Sequence, residues 1–123
     1  MHTFIQRKGY YPGESIELII DIQNESSVEA TPRATLYQTQ VYMCGQRHRA
    51  SNVALTSPVV GKHSNNEQII GIPIPKDVSL SIKSDLISIK YFIHVTLDIP
   101  HAFDIHANLP FVVTNRSALH RGD

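Results

Sequence analysis

The amino-acid sequence predicts an all-β protein, an immunoglobulin-like antiparallel β-sandwich with about seven strands. One long segment alternates apolar and polar residues, and several shorter segments do the same. Turn residues such as glycine and proline separate these segments at fairly regular spacing, and no segment shows the apolar period of a helix. Short alternating strands joined by turns are typical of a sandwich.

Residues 84–100 form the clearest of these segments. Every odd position from 87 to 99 is apolar, whereas most of the even positions are polar. Because successive side chains of a strand point to opposite faces, this pattern predicts a strand with one dry face. Such a strand needs a second layer over its apolar row and neighbouring strands for its backbone groups. The rest of the chain is expected to supply both.

The N-terminal part supplies the first partners. Residues 2–8 are a short polar strand candidate, and residues 9–13 a turn with a proline and a glycine. Residues 15–23 alternate again, with Ile16, Leu18 and Ile20 on one side. This strand is predicted to be the layer mate of the long strand.

Residues 35–43 are rich in β-branched and aromatic side chains, but their inward face is ambiguous. Either Tyr37, Val41 and Met43 point inward, or Leu36 and Tyr42 do, and a β-bulge that switches phase would satisfy both. The remaining elements follow in chain order: a polar tip at 44–49, short strands at 51–60 and 67–74, an extended linker at 76–83, a turn at 101–104 and a last strand at 105–113.

Length and composition favour a single core in a domain at 1–115, followed by a polar tail at 116–123. Eleven basic and eleven acidic residues balance, so the general affinity of a basic protein for nucleic acid is not expected. No stretch approaches the roughly 20 apolar residues of a membrane span, and residues 1–12 lack the apolar middle of a signal peptide. A cytoplasmic protein is expected. The strand-like sequence directly after Met1 suggests a piece of a longer protein.

The sequence contains no nucleophile elbow and no phosphate-binding glycine loop, so neither an enzyme nor a cofactor is predicted. The single Cys44 excludes an internal disulfide and fits a reducing compartment. His94 and His106 fall on the outward parity of their strands and could lie opposite each other on one wet face. A zinc site needs three or four ligands, with His101 the nearest further candidate. The pattern favours two solvated imidazoles, and no metal is predicted.

Basic residues gather in two predicted loops. Arg47, His48 and Arg49 lie in the hairpin tip, and Lys62 and His63 lie in the following loop. If both loops share one end of the sandwich, they form a patch suited to phosphorylated partners or anionic lipid headgroups. The alternative is that these are charged loops that simply stay hydrated.

Several stretches taken together resemble the C-terminal arrestin domain of the alpha-arrestins, the family of arrestin-domain-containing proteins and the thioredoxin-interacting protein. The resemblance lies in their order and spacing along nearly the whole chain. The stretches are 9–16 (GYYPGESI), 21–27 (DIQNESS), 32–40 (PRATLYQTQ), 72–75 (IPIP), the long strand at 84–100, and 109–113 (LPFVV).

This resemblance implies a sandwich that is normally the second of two in tandem and works as an adaptor or scaffold. Alpha-arrestins link membrane cargo, such as receptors and transporters, to HECT-type ubiquitin ligases for ubiquitination, endocytosis and endosomal sorting. The implied location is the cytoplasm, with recruitment to the plasma membrane and endosomes. The family contacts the ligase through Pro-Pro-x-Tyr motifs, which this sequence lacks. Ser26 stands where the thioredoxin-interacting member carries a cysteine, so a disulfide with thioredoxin is not implied.

Overall fold

Ten β-strands form the secondary structure of the residues described by the computed structural model, which are 2–21, 30–62, 67–78, 80–83, 87–98 and 105–114. No helix occurs among these residues. The strands are β1 (His2–Ile5), β2 (Gly9–Tyr10), β3 (Ser15–Asp21), β4 (Thr31–Cys44), β5 (Arg47–Ala54), β6 (Val59–Val60), β7 (Gln68–Pro73), β8 (Ile82–Lys83), β9 (Ile87–Asp98) and β10 (Ile105–Val113). Seven of them have four residues or more, and the other three are two-residue bridges.

The strands form two sheets. The smaller sheet has the order β1-β3-β7, and the larger one has the order β2-β10-β9-β4-β5, with β6 paired to β4 and β8 to β9. Every pairing is antiparallel except that of β2 with β10. The long strand β9 lies at the centre of the larger sheet. The sheets form a sandwich-like arrangement, which confirms the predicted all-β fold class.

The core lies between the inward faces of the two sheets. In β9 the odd positions from Ile89 to Leu97 are buried, and in β3 the side chains of Ile16, Leu18 and Ile20 are fully buried. All of these side chains belong to one apolar cluster. Burying one such side chain completely contributes about 1.5–3 kcal/mol. The predicted alternation of β9 and its layering against β3 are therefore confirmed.

The ambiguous strand β4 resolves in favour of its even positions. Leu36 is fully buried, whereas Tyr37 is only half-buried and lies on the outer face. The pairing of β4 with β9 runs without interruption from Thr31 to Tyr42, so no bulge switches the phase. Because β4 pairs continuously with β9, whose buried face is known, the pairing shows which face of β4 points inward. The sequence of β4 alone does not contain that information.

Two predicted loops are corrected. The segment at 9–13 was expected to be a turn, but Gly9–Tyr10 forms strand β2 and pairs in parallel with the end of β10. The turn comes afterwards, where the Glu14 N–H donates to the Tyr11 carbonyl at 3.1 Å and Gly13 has a φ of 88°. The linker expected at 76–83 ends in β8, which pairs with β9.

A polar chain enters the core from β4. The Gln38 amide Nε2 donates to the Tyr91 hydroxyl at 2.8 Å, and the Gln40 Nε2 donates to the Gln38 Oε1 at 2.7 Å. Both glutamines belong to the stretch at 32–40 (PRATLYQTQ), so this stretch orients the buried Tyr91. Burial raises the pKa of Tyr91, and the hydrogen bond from Gln38 opposes that rise.

Candidate interaction surfaces

Strand β5 forms an exposed edge of the larger sheet. All eight of its residues are exposed, and it pairs only with β4 among the elements that the structure describes. Along the inward face of β4, exposure rises from 0% at Leu36 to 8% at Gln38 and 39% at Tyr42. The smaller sheet therefore covers the start of the β4–β5 hairpin and leaves its far end open.

The predicted basic residues lie at this open end. Arg47, His48 and Arg49 are expected in a loop, but they are the first residues of β5 and pair with Cys44, Met43 and Tyr42. Only Gly45, with a φ of 68°, and Gln46 form the tip. Since side chains alternate along a strand, Arg47 and Arg49 share one face and His48 lies on the other. The Cα atoms of these two arginines are thus about 7 Å apart along the strand.

Lys62 lies at the opposite end of β4. The Gly61 N–H donates to the Pro32 carbonyl at 2.8 Å, and the backbone of Lys62 exchanges two hydrogen bonds with the Gln68 side chain. Pro32 and Cys44 are separated by nearly the whole strand, which spans roughly 40 Å. The structure therefore does not unite Lys62 with the hairpin arginines, and the expectation of one patch from both loops is corrected. His63 lies outside the described residues.

The outer face of the larger sheet carries a row of four rings, Phe92, Tyr37, His94 and His106, which we term the ring row. Tyr37 stacks on Phe92 with 5.2 Å between ring centroids, and its edge approaches His94 at 6.3 Å. His94 in turn stacks on His106 at 5.2 Å. Planar side chains of this kind are enriched at protein interfaces, so the ring row is a candidate binding surface.

Hydrogen bonds hold the imidazole end of the ring row. His94 Nδ1 lies 2.7 Å from Asn108 Oδ1, and His94 Nε2 lies 3.2 Å from His106 Nδ1. Hydrogen bonds thus link the Asn108 amide and the two imidazoles. The prediction that His94 and His106 lie together on the outer face is confirmed. Their contact with Tyr37 was missed, because it depended on the unresolved parity of β4.

Of the candidate metal ligands and the cysteine, the structure describes His94, His106 and the backbone of Cys44. No group of three or more histidine, cysteine, aspartate or glutamate side chains there could hold a metal ion. The third ligand considered from sequence, His101, lies outside the described residues, as does Ser26. Cys44 ends β4, and its side chain is not described. Among the described residues, no helix has the length and apolar character needed to cross a membrane.

The family model for the arrestin (or S-antigen) C-terminal domain matches residues 1–117. The chain belongs to the arrestin C-terminal domain family. Among curated proteins, this arrestin domain is 32% identical over 115 residues to human arrestin domain-containing protein 4 and 34% identical over 115 residues to the rat protein of the same name. It is 26% identical over 109 residues to arrestin domain-containing protein B of Dictyostelium discoideum. The predicted resemblance to arrestin-domain-containing proteins is confirmed.

The alignments cover most of this chain but only part of each relative. The alignments take in 89% of the arrestin domain described here but only 27% of the human relative and 36% of the rat relative. The chain thus spans about a third or less of these relatives. The crystal structure of Spo0M, a sporulation control protein from Bacillus subtilis, superposes with a TM-score of 0.67 at 14% identity, over 94% of this chain and 49% of that one. That likeness concerns the fold.

Proposed function

We propose that this arrestin domain is a non-catalytic adaptor domain that binds cytoplasmic segments of membrane cargo, such as receptors and transporters. It serves ubiquitination, endocytosis and endosomal sorting, and it works in the cytoplasm, at the plasma membrane and on endosomes. Family membership over residues 1–117 is the observation that carries this proposal. The sequence lacks a Pro-Pro-x-Tyr motif, so contact with a HECT-type ligase is assigned to residues beyond this chain.

The ring row is the surface that we assign to a protein partner. Its four rings are flat, partly exposed and held by their neighbours, so little side-chain entropy is lost when a partner stacks on them. The imidazoles of His94 and His106 can donate or accept hydrogen bonds. Such a surface suits an extended segment with aromatic and amide side chains.

The test uses this chain as bait, fused to a biotin-transferring label in cultured cells. We expect labelling of membrane receptors or transporters above the level obtained with an Ile93→Asp bait, which should not fold. A double variant, His94→Ala with His106→Ala, should reduce that labelling, whereas Ile69→Ala in the other sheet should not. Labelling without any membrane protein would contradict the proposal, as would direct binding of the purified chain to a purified HECT-type ligase.

Arg47 and Arg49 favour a second candidate function, binding of anionic lipid at a membrane surface. Both side chains are exposed on one face at the open end of the hairpin, as a headgroup phosphate requires. Sedimentation with phosphoinositide-containing vesicles at low salt tests this. Replacing both arginines by alanine should abolish binding, and Lys62→Ala should not, because Lys62 lies at the other end of β4. Binding that persists without the arginines would exclude this candidate.

A further inference from the structure

We infer that the free edge of β5 is a pairing surface for a second copy of this chain, which joins the two larger sheets into one continuous sheet across a two-fold axis. This inference does not depend on the proposed adaptor function. An unpaired edge strand is a ready template for another strand, and natural proteins usually blunt such edges with proline, bulges or a covering segment. In β5 all eight residues are exposed and none is proline. Among the described residues, nothing but β4 pairs with it.

The pairing register shows which backbone groups face the free edge. The Leu55 N–H donates to the Leu36 carbonyl at 2.9 Å, and these two residues continue the antiparallel register of β4 and β5. Hydrogen-bonded and non-hydrogen-bonded pairs alternate in an antiparallel ladder. The odd residues of β5 therefore bond to β4, and the even ones direct N–H and C=O away from it. Those residues are His48, Ala50, Asn52 and Ala54.

The charge pattern of β5 sets the direction in which a second copy would pair. Its cations, Arg47, His48 and Arg49, all lie in its first half, and its second half is uncharged. In an antiparallel pair of β5 strands centred on Ser51, Arg49 lies opposite Val53 of the second copy and His48 lies opposite Ala54. No like charges then face each other, whereas parallel pairing would place each arginine beside its own equivalent. Like charges directly opposite are destabilising, so the two-fold arrangement is favoured.

Three further features fit a second copy. Ala50 and Ala54 are small and leave the approach to the edge open, and Val53, which is 46% exposed, would gain a side-chain neighbour across the new strand pair. The chain carries eleven basic and eleven acidic residues, so two copies do not repel through net charge. The other edge strands described are shorter: β1 has four residues, β2 has two and β7 has six with a proline at its end.

The first test is the mass of the purified 123-residue chain, measured by sedimentation equilibrium from micromolar to millimolar concentration. We expect the mass to rise from 13.8 kDa towards twice that value. Ala50→Pro removes an N–H that faces the free edge and that β4 does not use, so the fold should survive while the dimer is lost. Ala50→Thr keeps that N–H and should dimerise like the parent. Far-ultraviolet circular dichroism and thermal melts verify that each variant is folded.

The second test uses opposite charges at one position. Val53→Arg places a cation opposite Arg49 of the second copy, and Val53→Glu places an anion there. Each substitution acts twice across the axis, so the dissociation constant should change by about tenfold, upwards for arginine and downwards for glutamate. Both variants lose the same surface valine, so opposite shifts of their dissociation constants report the charge pairing across the two strands.

Three outcomes would overturn the inference. One is a parent chain that stays monomeric at millimolar concentration; if Arg47 and Arg49 of that monomer bind a polyglutamate peptide, the edge serves an acidic strand from another protein. Another is an Ala50→Pro variant that is folded and still dimeric. A third is loss of the dimer in Ile69→Arg, on the free edge of β7, instead of in Val53→Arg.

Discussion

Replacing Ile93 by aspartate should unfold this domain, whereas the same change at the next residue should not. The Ile93 side chain is fully buried between Leu36 of β4 and Leu109 of β10, which are its register partners. Loss of its apolar burial costs about 2 kcal/mol. Keeping a buried aspartate protonated at neutral pH, about three pH units above its usual pKa, costs about 4 kcal/mol more. The sum of about 6 kcal/mol is comparable to the whole stability of a typical domain, about 5–15 kcal/mol.

Urea unfolding, followed by far-ultraviolet circular dichroism, measures both variants against the parent. His94→Asp changes a side chain on the outer face and should cost about 1 kcal/mol or less, chiefly through the lost hydrogen bond to Asn108. Ile93→Ala is the control for burial alone and should cost about 2–5 kcal/mol. Equal losses for Ile93→Asp and His94→Asp would refute the assignment of inward and outward faces in β9.

Three further predictions concern stability. Tyr91→Phe should cost about 1–2 kcal/mol at neutral pH in urea unfolding, because the buried Gln38 amide loses an acceptor. The raised pKa of Tyr91 means that the folded state keeps a proton which the unfolded state loses above about pH 10. Parent stability should thus fall as pH rises beyond that point, and fall less in Tyr91→Phe; parallel curves would contradict this. Gly13→Ala should cost about 1–2 kcal/mol in thermal or urea unfolding, because Gly13 has a φ of 88° and its added Cβ would lie 3.2 Å from Lys76 Cγ. Gly71→Ala adds a Cβ into open space and should be neutral or slightly stabilising, so equal losses at both glycines would argue against backbone strain.

The alternating strands were predictable from sequence because burial of one face favours a period of two, although Ile19 in β3 departs from that period. β3, β9 and β10 each have one face in the core, and their apolar residues mark that face directly. β4 was not predictable in the same way. It carries a buried polar residue, Gln38, on its inward face and a large aromatic residue, Tyr37, on its outer face. Neither residue follows the usual rule that apolar side chains point inward. Only the pairing of β4 with β9 shows which face of β4 is buried.

The candidate surfaces were less predictable because they depend on which residues meet across strands. The alternating patterns of β9 and β10 predicted that His94 and His106 lie on the hydrated outer face, since the outward positions of each strand could be read from its own sequence. The distance between Lys62 and Arg47 could not be read in that way, because it depends on where β6 pairs along β4. The free edge of β5 likewise requires the order of strands in the sheet, which local sequence does not encode.

The parallel pairing of β2 with the end of β10 bears on how the protein is made. Tyr10, which is 3% exposed, packs edge to face against Phe111 with 5.8 Å between ring centroids. During synthesis, Tyr10 leaves the ribosome about 100 residues before Phe111. This aromatic pair therefore cannot form until β10 has been translated, and such distant pairing slows folding. Nascent chains stalled before β10 should remain protease-sensitive, and resistance should be acquired when β10 emerges from the ribosome.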